Sequence, residues 1–251
     1  MGERPSEWPA ELDEFTLEGR TALVTGASRG IGAEVAQWLA VSGARVALVA
    51  RTRSALEEVA NRIGNEAVVV EADLSSESDA SAAAVQVRRS FGGAPDIVVN
   101  NAGVFQLVEL ERTTVEDYAA ALRTNLLAPF VFVRAFLSDM RQRGSGHIVT
   151  IGSVADRKIF AGNGAYAATK FGARAMHEVL REETRGSGVR ATLISPAGVN
   201  TDIWNPIRFP GETGPPDRSA MLDPGAVANA VLFALMQPAD VNIDELRLSR
   251  S

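Results

Sequence analysis

The chain of 251 residues contains no cysteine and only two histidines, His147 and His177. Without thiols it can form neither a disulfide bond nor a thiolate metal site. The two histidines are not spaced like a pair of metal ligands, and each falls in a segment with a strand or helix pattern. We therefore expect no metal centre and assign both histidines to the structure.

The chain also lacks an excess of positive charge and a long apolar run. Lys and Arg total 25 against 31 Asp and Glu, which gives a net charge of −6, whereas a general nucleic-acid binder carries a basic face. No apolar run reaches the roughly 20 residues that cross a bilayer. The polar, acidic N-terminus has no signal-peptide core. We expect a cytoplasmic protein that binds neither nucleic acid nor membrane.

Lysine and tyrosine are scarce, yet one of each occurs in the segment NGAYAATKFG, residues 163–172. Lys158 and Lys170 are the only lysines, and Tyr118 and Tyr166 are the only tyrosines. Residues four apart on a helix share a face, so Tyr166 and Lys170 should lie together. An ammonium beside a phenol favours the phenolate, which suits proton transfer near neutral pH. The segment therefore indicates a catalytic tyrosine assisted by a lysine.

Apolar segments alternate with helical patterns along most of the chain. This alternation predicts an α/β fold in which one parallel sheet is covered by helices. We expect an arm at residues 1–18, a single domain at 19–251, and a Pro- and Gly-rich substrate loop at 200–223 that closes as a lid. The predicted strands are 21–24, 44–51, 67–74, 96–103, 147–153 and 190–198, and the predicted helices are about 30–43, 54–64, 80–92, 115–143 and 166–185.

The first strand leads through a glycine-bearing turn, TGASRGIG, into a helix. Gly26, Gly30 and Gly32 would let the backbone and the helix N-terminus approach a dinucleotide phosphate. Their spacing differs from the usual G-x-G-x-x-G. A turn that merely packs closely is the alternative.

The second strand ends in Val49, Ala50 and Arg51, without the acidic residue that usually bonds the ribose of NAD. Arg29, in the glycine turn, provides a second cation. Guanidinium groups bind phosphate through paired hydrogen bonds, so these residues favour NADP(H). The alternative is that Arg51 is simply a solvated residue at a strand end.

Several motifs, taken in order, resemble the compact form of the short-chain dehydrogenase/reductase family, from residue 19 to about 248. They are TGASRGIG (25–32), ADL (72–74), NNAG (100–103), Asn125 in RTNLLAPF, Ser153 with Tyr166 and Lys170, and SPAGVNT (195–201). The resemblance implies a single doubly wound Rossmann-type domain with helices on both faces of the sheet. It also implies a homodimer or homotetramer that pairs the helices at 115–143 and 166–185.

The resemblance further implies the roles of individual residues. Tyr166 would be the general acid in reduction, Ser153 would bond the substrate oxygen, Lys170 would bond the cofactor ribose, and Asn125 would hold a water beside Lys170. The residues implied to bind the cofactor are Gly26, Ser28, Arg29, Gly30, Ile31, Gly32, Arg51, Asp73, Leu74, Asn101, Ala102, Gly103, Tyr166, Lys170, Pro196, Val199 and Thr201.

Three local features bear on the nicotinamide and substrate ends of the site. Ala197 replaces the glycine that usually follows the loop proline, and Gly198 could supply conformational freedom instead. Arg157 and Lys158 could meet an anionic substrate or form a solvated pair. Aromatic residues in loops should edge the pocket, or else serve in packing: Phe105, Phe160, Trp204 and Phe209.

These features predict an NADP(H)-dependent oxidoreductase that interconverts a small-molecule carbonyl and a secondary alcohol, such as a 3-oxoacyl-thioester reductase. A 3-hydroxy acid or serine dehydrogenase is the alternative, because the C-terminal segment VNIDELRL (241–248) resembles that group. An epimerase, a dehydratase or a dinucleotide sensor would be a third, non-redox class.

Overall fold

The computed structural model describes residues 16–64, 67–207 and 217–251. Most of the predicted arm and the middle of the predicted 200–223 loop therefore lie outside the described residues, as does Phe209. Residues 16–18, at the end of the predicted arm, are docked on the domain: Leu17 is buried, and its amide donates to the Ser42 carbonyl at 2.8 Å.

One parallel sheet of seven strands forms the centre of the molecule, in the order β3-β2-β1-β4-β5-β6-β7. The order reverses between β1 and β4, which is the doubly wound arrangement. The strands are β1 (Thr21–Thr25), β2 (Arg45–Ala50), β3 (Val68–Glu71), β4 (Ile97–Asn100), β5 (Gly146–Ile151), β6 (Val189–Pro196) and β7 (Glu245–Leu248).

Helices connect the strands and cover both faces of the sheet. They are α1 (Gly30–Val41), α2 (Arg53–Ile63), α3 (Glu77–Phe91), α4 (Val115–Leu122), α5 (Ala128–Arg143), α6 (Gly164–Thr184) and α7 (Pro224–Leu235). A π-helical turn, Arg123–Leu127, joins α4 to α5 without a break and contains Asn125.

The core has two parts because strand side chains alternate between the two faces. Ala22 and Val24 of β1 pack with α1, α2 and α7, whereas Leu23 packs with α3, α5 and α6. Continuous apolar strands such as β4 and β6 suit this burial on both faces. The predicted α/β fold, with helices on both faces of a parallel sheet, is confirmed.

The structure adds two elements at the C-terminal end that we did not predict. Helix α7 packs on α1, and strand β7 pairs with β6 in the register Leu193–Glu245 to Pro196–Leu248. Helix α3 also begins earlier than predicted, at Glu77, because the Ser76 hydroxyl accepts a hydrogen bond from the Asp79 amide and caps it.

Among the described helices, the continuous segment Val115–Arg143 is long and apolar enough to cross a membrane by length and composition alone. Core helices of globular proteins pass the same test. Here Phe132, Phe136 and Met140 of that segment are fully buried in the core against the sheet.

Candidate active site

A cavity of about 1000 Å³ opens at the carboxyl ends of the strands, where the sheet order reverses. This is where ligands bind in open α/β sheets. The cavity is lined by every residue predicted for the site except Gly32 and Asn125. Residues from the loops after β1, β2, β3, β4, β5 and β6 therefore meet in one place.

The glycines of the turn after β1 serve two distinct purposes. Gly26 and Gly30 have φ angles of 66° and 55°, in the left-handed region that favours glycine. A Cβ atom on Gly32 would lie 2.3 Å from the Gly26 carbonyl oxygen. Gly32 therefore permits close packing inside the turn instead of lining the cavity.

Three helices begin on the cavity wall, and their N-termini lack a side-chain cap. The residues before α1, α2 and α6 are Arg29, Thr52 and Asn163, and none of their side chains caps its helix. In contrast, Ser76, Thr114 and Asp223 cap α3, α4 and α7. Uncapped N–H groups attract anions, so α1 and α2 both present donors to a phosphate.

Arg51 and Arg29 are exposed and line the same end of the cavity. Asp73 also lies there, and its carboxylate accepts from the Ser75 amide at 3.0 Å and the Ser75 hydroxyl at 2.9 Å. These bonds, led by the one from the Ser75 amide and helped by the charge of Arg51, hold the pKa of Asp73 below its usual range. Asp73 is therefore a carboxylate at neutral pH and partly offsets the positive charge of Arg51.

Tyr166 and Lys170 project from α6 into the cavity beside Ser153. The Lys170 ammonium lies 5.6 Å from the centre of the Tyr166 ring and donates to the Ile151 carbonyl at 2.9 Å. Lys170 is 6% exposed, which is rare for a lysine. The hydroxyl of Ser153 accepts a hydrogen bond from the Ala155 amide at 3.1 Å, so its own proton remains available to a ligand.

Asn125 is buried behind this group and does not line the cavity. Its side-chain oxygen accepts from the Val104 amide at 2.8 Å, and its nitrogen donates to the Val104 carbonyl at 2.9 Å and to the Thr169 hydroxyl at 3.0 Å. Both amide hydrogens are therefore used to hold the loop after β4 against α6.

The NNAG motif at the end of β4 likewise fastens two strand ends together. The Asn101 side chain donates to the Thr25 carbonyl at 2.8 Å, and the Thr25 hydroxyl accepts from the amides of Asn101 and Ala102 at 3.0 Å each. The motif thus fixes the loop after β4 to the glycine turn, while its residues 101–103 line the cavity.

Comparison with known sequences and structures agrees with this geometry. The short chain dehydrogenase family profile matches residues 20–210. The chain belongs to the short-chain dehydrogenase family. Among curated relatives, an uncharacterised oxidoreductase of Staphylococcus aureus strain MW2 is 33% identical over 92% of this chain and 96% of its own length. The glycine betaine reductase ATRR of Emericella nidulans is 35% identical, but the match spans only 18% of that protein.

Solved structures resemble this short-chain dehydrogenase over nearly their whole length. A metagenomic short-chain oxidoreductase in complex with NADP superposes with a TM-score of 0.80, at 33% identity over 94% of this chain and 99% of that one. Serine dehydrogenase from Escherichia coli superposes with a TM-score of 0.79, at 28% identity over 92% and 97% of the two chains.

The loop after β6 in this short-chain dehydrogenase does not use the freedom that we ascribed to Gly198, whose φ is not positive. The Ala197 amide donates to the Leu248 carbonyl at 2.8 Å, which extends the β6–β7 pairing. Farther along, Thr201 packs against Gly30, whose added Cβ would lie 3.1 Å from the Thr201 methyl group. The loop therefore lies directly on the glycine turn.

Arg157 is neither an anion-binding residue nor part of a solvated pair with Lys158. Its guanidinium pairs with the fully buried Asp156, at 2.7 Å, and with Glu245 of β7. The hydrogen bond that Arg157 donates to the Asp156 carboxylate is the main reason that the pKa of Arg157 is raised. Asp156 also accepts a hydrogen bond from the Ser195 hydroxyl. This Asp156 network joins the turn after Ser153 to β6 and β7.

The two histidines of this short-chain dehydrogenase, His147 on β5 and His177 on α6, are buried and do not line the cavity. His177 shares a hydrogen bond with the Thr150 hydroxyl at 2.9 Å, and His147 with the Thr192 hydroxyl at 2.8 Å. Burial lowers the pKa of His177 from 6.5 to about 4 and lowers that of His147 well below 6.5. Both imidazoles are therefore neutral at pH 7.

Phe105, Phe160 and Trp204 line the cavity, as expected of aromatic residues in these loops. Several other wall residues were not predicted, although each lies within a few residues of a motif residue in the chain. Proximity to the motifs could have identified them: Ala50, Thr52, Ala55, Val104, Leu107, Thr124, Gly152, Val154, Ala161, Asn163, Asp202 and Ile203.

Proposed function

We propose that this protein is an NADP(H)-dependent oxidoreductase that interconverts a carbonyl and a secondary alcohol. One observation carries the proposal: Tyr166 faces the cavity beside Ser153, with the buried ammonium of Lys170 5.6 Å from its ring. A phenol, a hydroxyl donor and a fixed cation at one point suit proton transfer to and from a substrate oxygen.

The residues at the nucleotide end fit NADP(H). The uncapped start of α1, with Gly26 and Gly30, suits the pyrophosphate, and Arg29, Arg51 and the uncapped start of α2 suit the 2′-phosphate. When bound, the cofactor supplies or accepts the hydride. The metagenomic relative, at 33% identity, is a complex with NADP, which supports the same choice here.

Tyr166 would donate the proton from its hydroxyl during reduction and recover it during oxidation. The Ser153 hydroxyl, which accepts from Ala155, would donate to the substrate oxygen and stabilise its developing charge. Lys170 is held by the Ile151 carbonyl and keeps two further N–H groups for the cofactor ribose.

Asn125 would serve the proton path through its backbone. Its side-chain hydrogens are bonded to Val104 and Thr169, so we assign the water beside Lys170 to the Asn125 carbonyl in the π-helical turn. Such turns are frequent at functional sites.

A serine or 3-hydroxy acid dehydrogenase is the second candidate, because the Escherichia coli serine dehydrogenase is among the similar structures. This candidate shares the cofactor and the catalytic group and differs only in the substrate.

The test is oxidation of NADPH and NADH by the purified protein with neutral ketones, β-keto esters, diketones, quinones and acyl thioesters, and reduction of NADP with serine and 3-hydroxy acids. We expect NADPH-dependent reduction of at least one carbonyl class. If NADPH fails to bind and no substrate of either class reacts, the proposed function is wrong.

A further inference from the structure

We infer that the substrate is an uncharged carbonyl compound with an apolar arm about the size of an aromatic ring. This inference rests on the proposed function and concerns only the part of the cavity beyond Tyr166. It decides between the two candidates above, because serine and hydroxy acids carry a carboxylate.

An aromatic and aliphatic wall faces the catalytic tyrosine. The Phe105 ring meets the Tyr166 ring edge-on at 4.8 Å and the Trp204 ring at 5.2 Å, so the apolar surface begins directly at the phenol. The side chains of this apolar wall are Phe105, Leu107, Val154, Phe160, Ile203 and Trp204.

Two hydrogen bonds support the apolar wall without a ligand. The Val108 amide donates to the Gly162 carbonyl at 2.7 Å, which ties the loop after β4 to the segment that precedes α6. The indole of Trp204 donates to the Val199 carbonyl at 2.9 Å. An apolar recess gains most from a ligand that is itself apolar and matches its shape.

The positively charged side chains of the described cavity lining are either far from the apolar wall or already hydrogen-bonded. Arg29 and Arg51 lie at the nucleotide end, and β2 is three strands from β5, or about 14 Å across the sheet. Lys170 is buried and bonded to the Ile151 carbonyl. No other Lys or Arg lines the cavity within residues 16–64, 67–207 and 217–251.

The nearest candidate for an anion-binding cation is already neutralised. Arg157, four residues after Ser153, pairs with Asp156 and Glu245 and does not line the cavity. The acidic residue Asp202 also lines the cavity and directly precedes Ile203 and Trp204 of the apolar wall in the chain. Among the described residues, a substrate carboxylate placed beside the apolar wall would find no free positive partner to replace its water, which is costly.

The first test compares substrates that differ only in charge or in the apolar arm. We expect kcat/KM for methyl 4-acetylbenzoate to exceed that for 4-acetylbenzoate by at least about tenfold. The reason is that burying an unpaired charge costs more free energy than a tenfold change in kcat/KM represents. We also expect kcat/KM for 4-phenyl-2-butanone to exceed kcat/KM for 2-butanone. Equal or faster reduction of the carboxylate would overturn the inference while leaving the proposed function intact. Faster oxidation of serine than of neutral alcohols would also overturn the inference, and it would favour the second candidate function.

The second test uses variants and binding without turnover. Phe105→Ala and Trp204→Ala should lower kcat/KM for 4-phenyl-2-butanone more than for 2-butanone, whereas Phe233→Ala, an exposed aromatic on α7, should alter neither. Equal losses for both ketones would mean that the rings only support the fold. Calorimetric binding of the ester and the acid to Tyr166→Phe with NADP+ decides the question independently of rate, because tighter binding of the acid refutes the inference.

Discussion

Arg51 is the residue on which cofactor preference depends. It is exposed at the end of β2, beside the uncapped start of α2. Replacing Ala50 by Asp and Arg51 by Leu should reverse the preference from NADPH to NADH, because it removes a phosphate partner and adds repulsion. A charge-assisted hydrogen bond contributes roughly 1.5–3 kcal/mol, less when exposed, so we expect a preference of at least about tenfold before the change.

The measurement is kcat/KM for both cofactors. Arg53→Leu is the matched control. Arg53 is already paired with Glu57 and Glu71, so its replacement should leave the ratio of kcat/KM for the two cofactors unchanged. A wild-type preference for NADH, or an unchanged ratio in the double variant, would show that Arg51 is only a solvated residue at a strand end.

For single residues, the sequence was a good guide to which side chains line the cavity and a poorer guide to the contacts that each side chain makes. Residues tied to a local pattern, such as the glycine turn or the Tyr166–Lys170 pair, could be located from spacing alone. Spacing did not show that Gly32 permits close packing inside the turn, or that the Asn125 side chain attaches the loop after β4 to α6. Arg157 could not be assigned, because its partner Glu245 is 88 residues away in the chain and meets it only in the folded sheet.

Among the elements, strands β1 to β6 were predictable and β7 was not. The buried strands are continuous apolar runs, whereas β7 lies at the edge of the sheet as Glu-Leu-Arg-Leu with no fully buried residue. Helix α7 is apolar around most of its surface, so it lacks the one-sided pattern of α2. The π-helical turn has no sequence signal, because its residues would equally continue an α-helix.

The Asp156 network joins elements, and its loss should destabilise the fold. Arg157→Leu leaves the fully buried Asp156 carboxylate without its cation, so we expect the free energy of unfolding to fall by about 3 kcal/mol or more. Arg185→Leu, which removes an exposed pair with Glu182, should lower the free energy of unfolding much less, because solvent screens that pair. Urea unfolding of both variants measures this difference, and equal losses would mean that the network contributes no more than a surface pair.

For the whole molecule, His177 makes stability depend on pH. Above pH 6.5 its imidazole is neutral in both the folded and the unfolded chain, so its contribution is complete. Below pH 6.5 His177 becomes protonated in the unfolded chain, whereas in the folded chain it stays neutral until about pH 4. The free energy of unfolding should therefore decrease as the pH is lowered below 6.5, by up to about 1.4 kcal/mol per pH unit for this group.

Unfolding free energies of wild type and His177→Asn between pH 7.5 and 5 test this effect. The asparagine retains a polar atom near Thr150 but cannot take up a proton, so its stability should decline less steeply. Parallel curves for the two proteins would show that His177 does not control the slope.

The whole molecule also presents an apolar face on the π-helical turn, α5 and α6. Leu127, Phe130, Phe171 and Val179 are 37–56% exposed there, next to a groove of about 280 Å³ lined by Leu122, Leu126 and Met176 among others. We propose that this face pairs two copies of the chain, as a dimer or within a tetramer. Phe130→Glu should shift the mass in light scattering toward the monomer, whereas Val85→Glu on α3 should not. A monomeric wild-type protein at micromolar concentration would refute the proposal.

Tyr166 offers the most direct test of the catalytic mechanism, since the chain's other tyrosine is a built-in control. Tyr118 lies on α4 outside the cavity lining, so Tyr118→Phe removes a hydroxyl without touching the site. The measurement is kcat and the NADPH dissociation constant for Tyr166→Phe and Tyr118→Phe on the best carbonyl substrate. We expect kcat to fall at least about 100-fold in Tyr166→Phe alone, with NADPH binding nearly unchanged. If Tyr166→Phe retains more than about a tenth of the wild-type kcat, Tyr166 is not the proton donor.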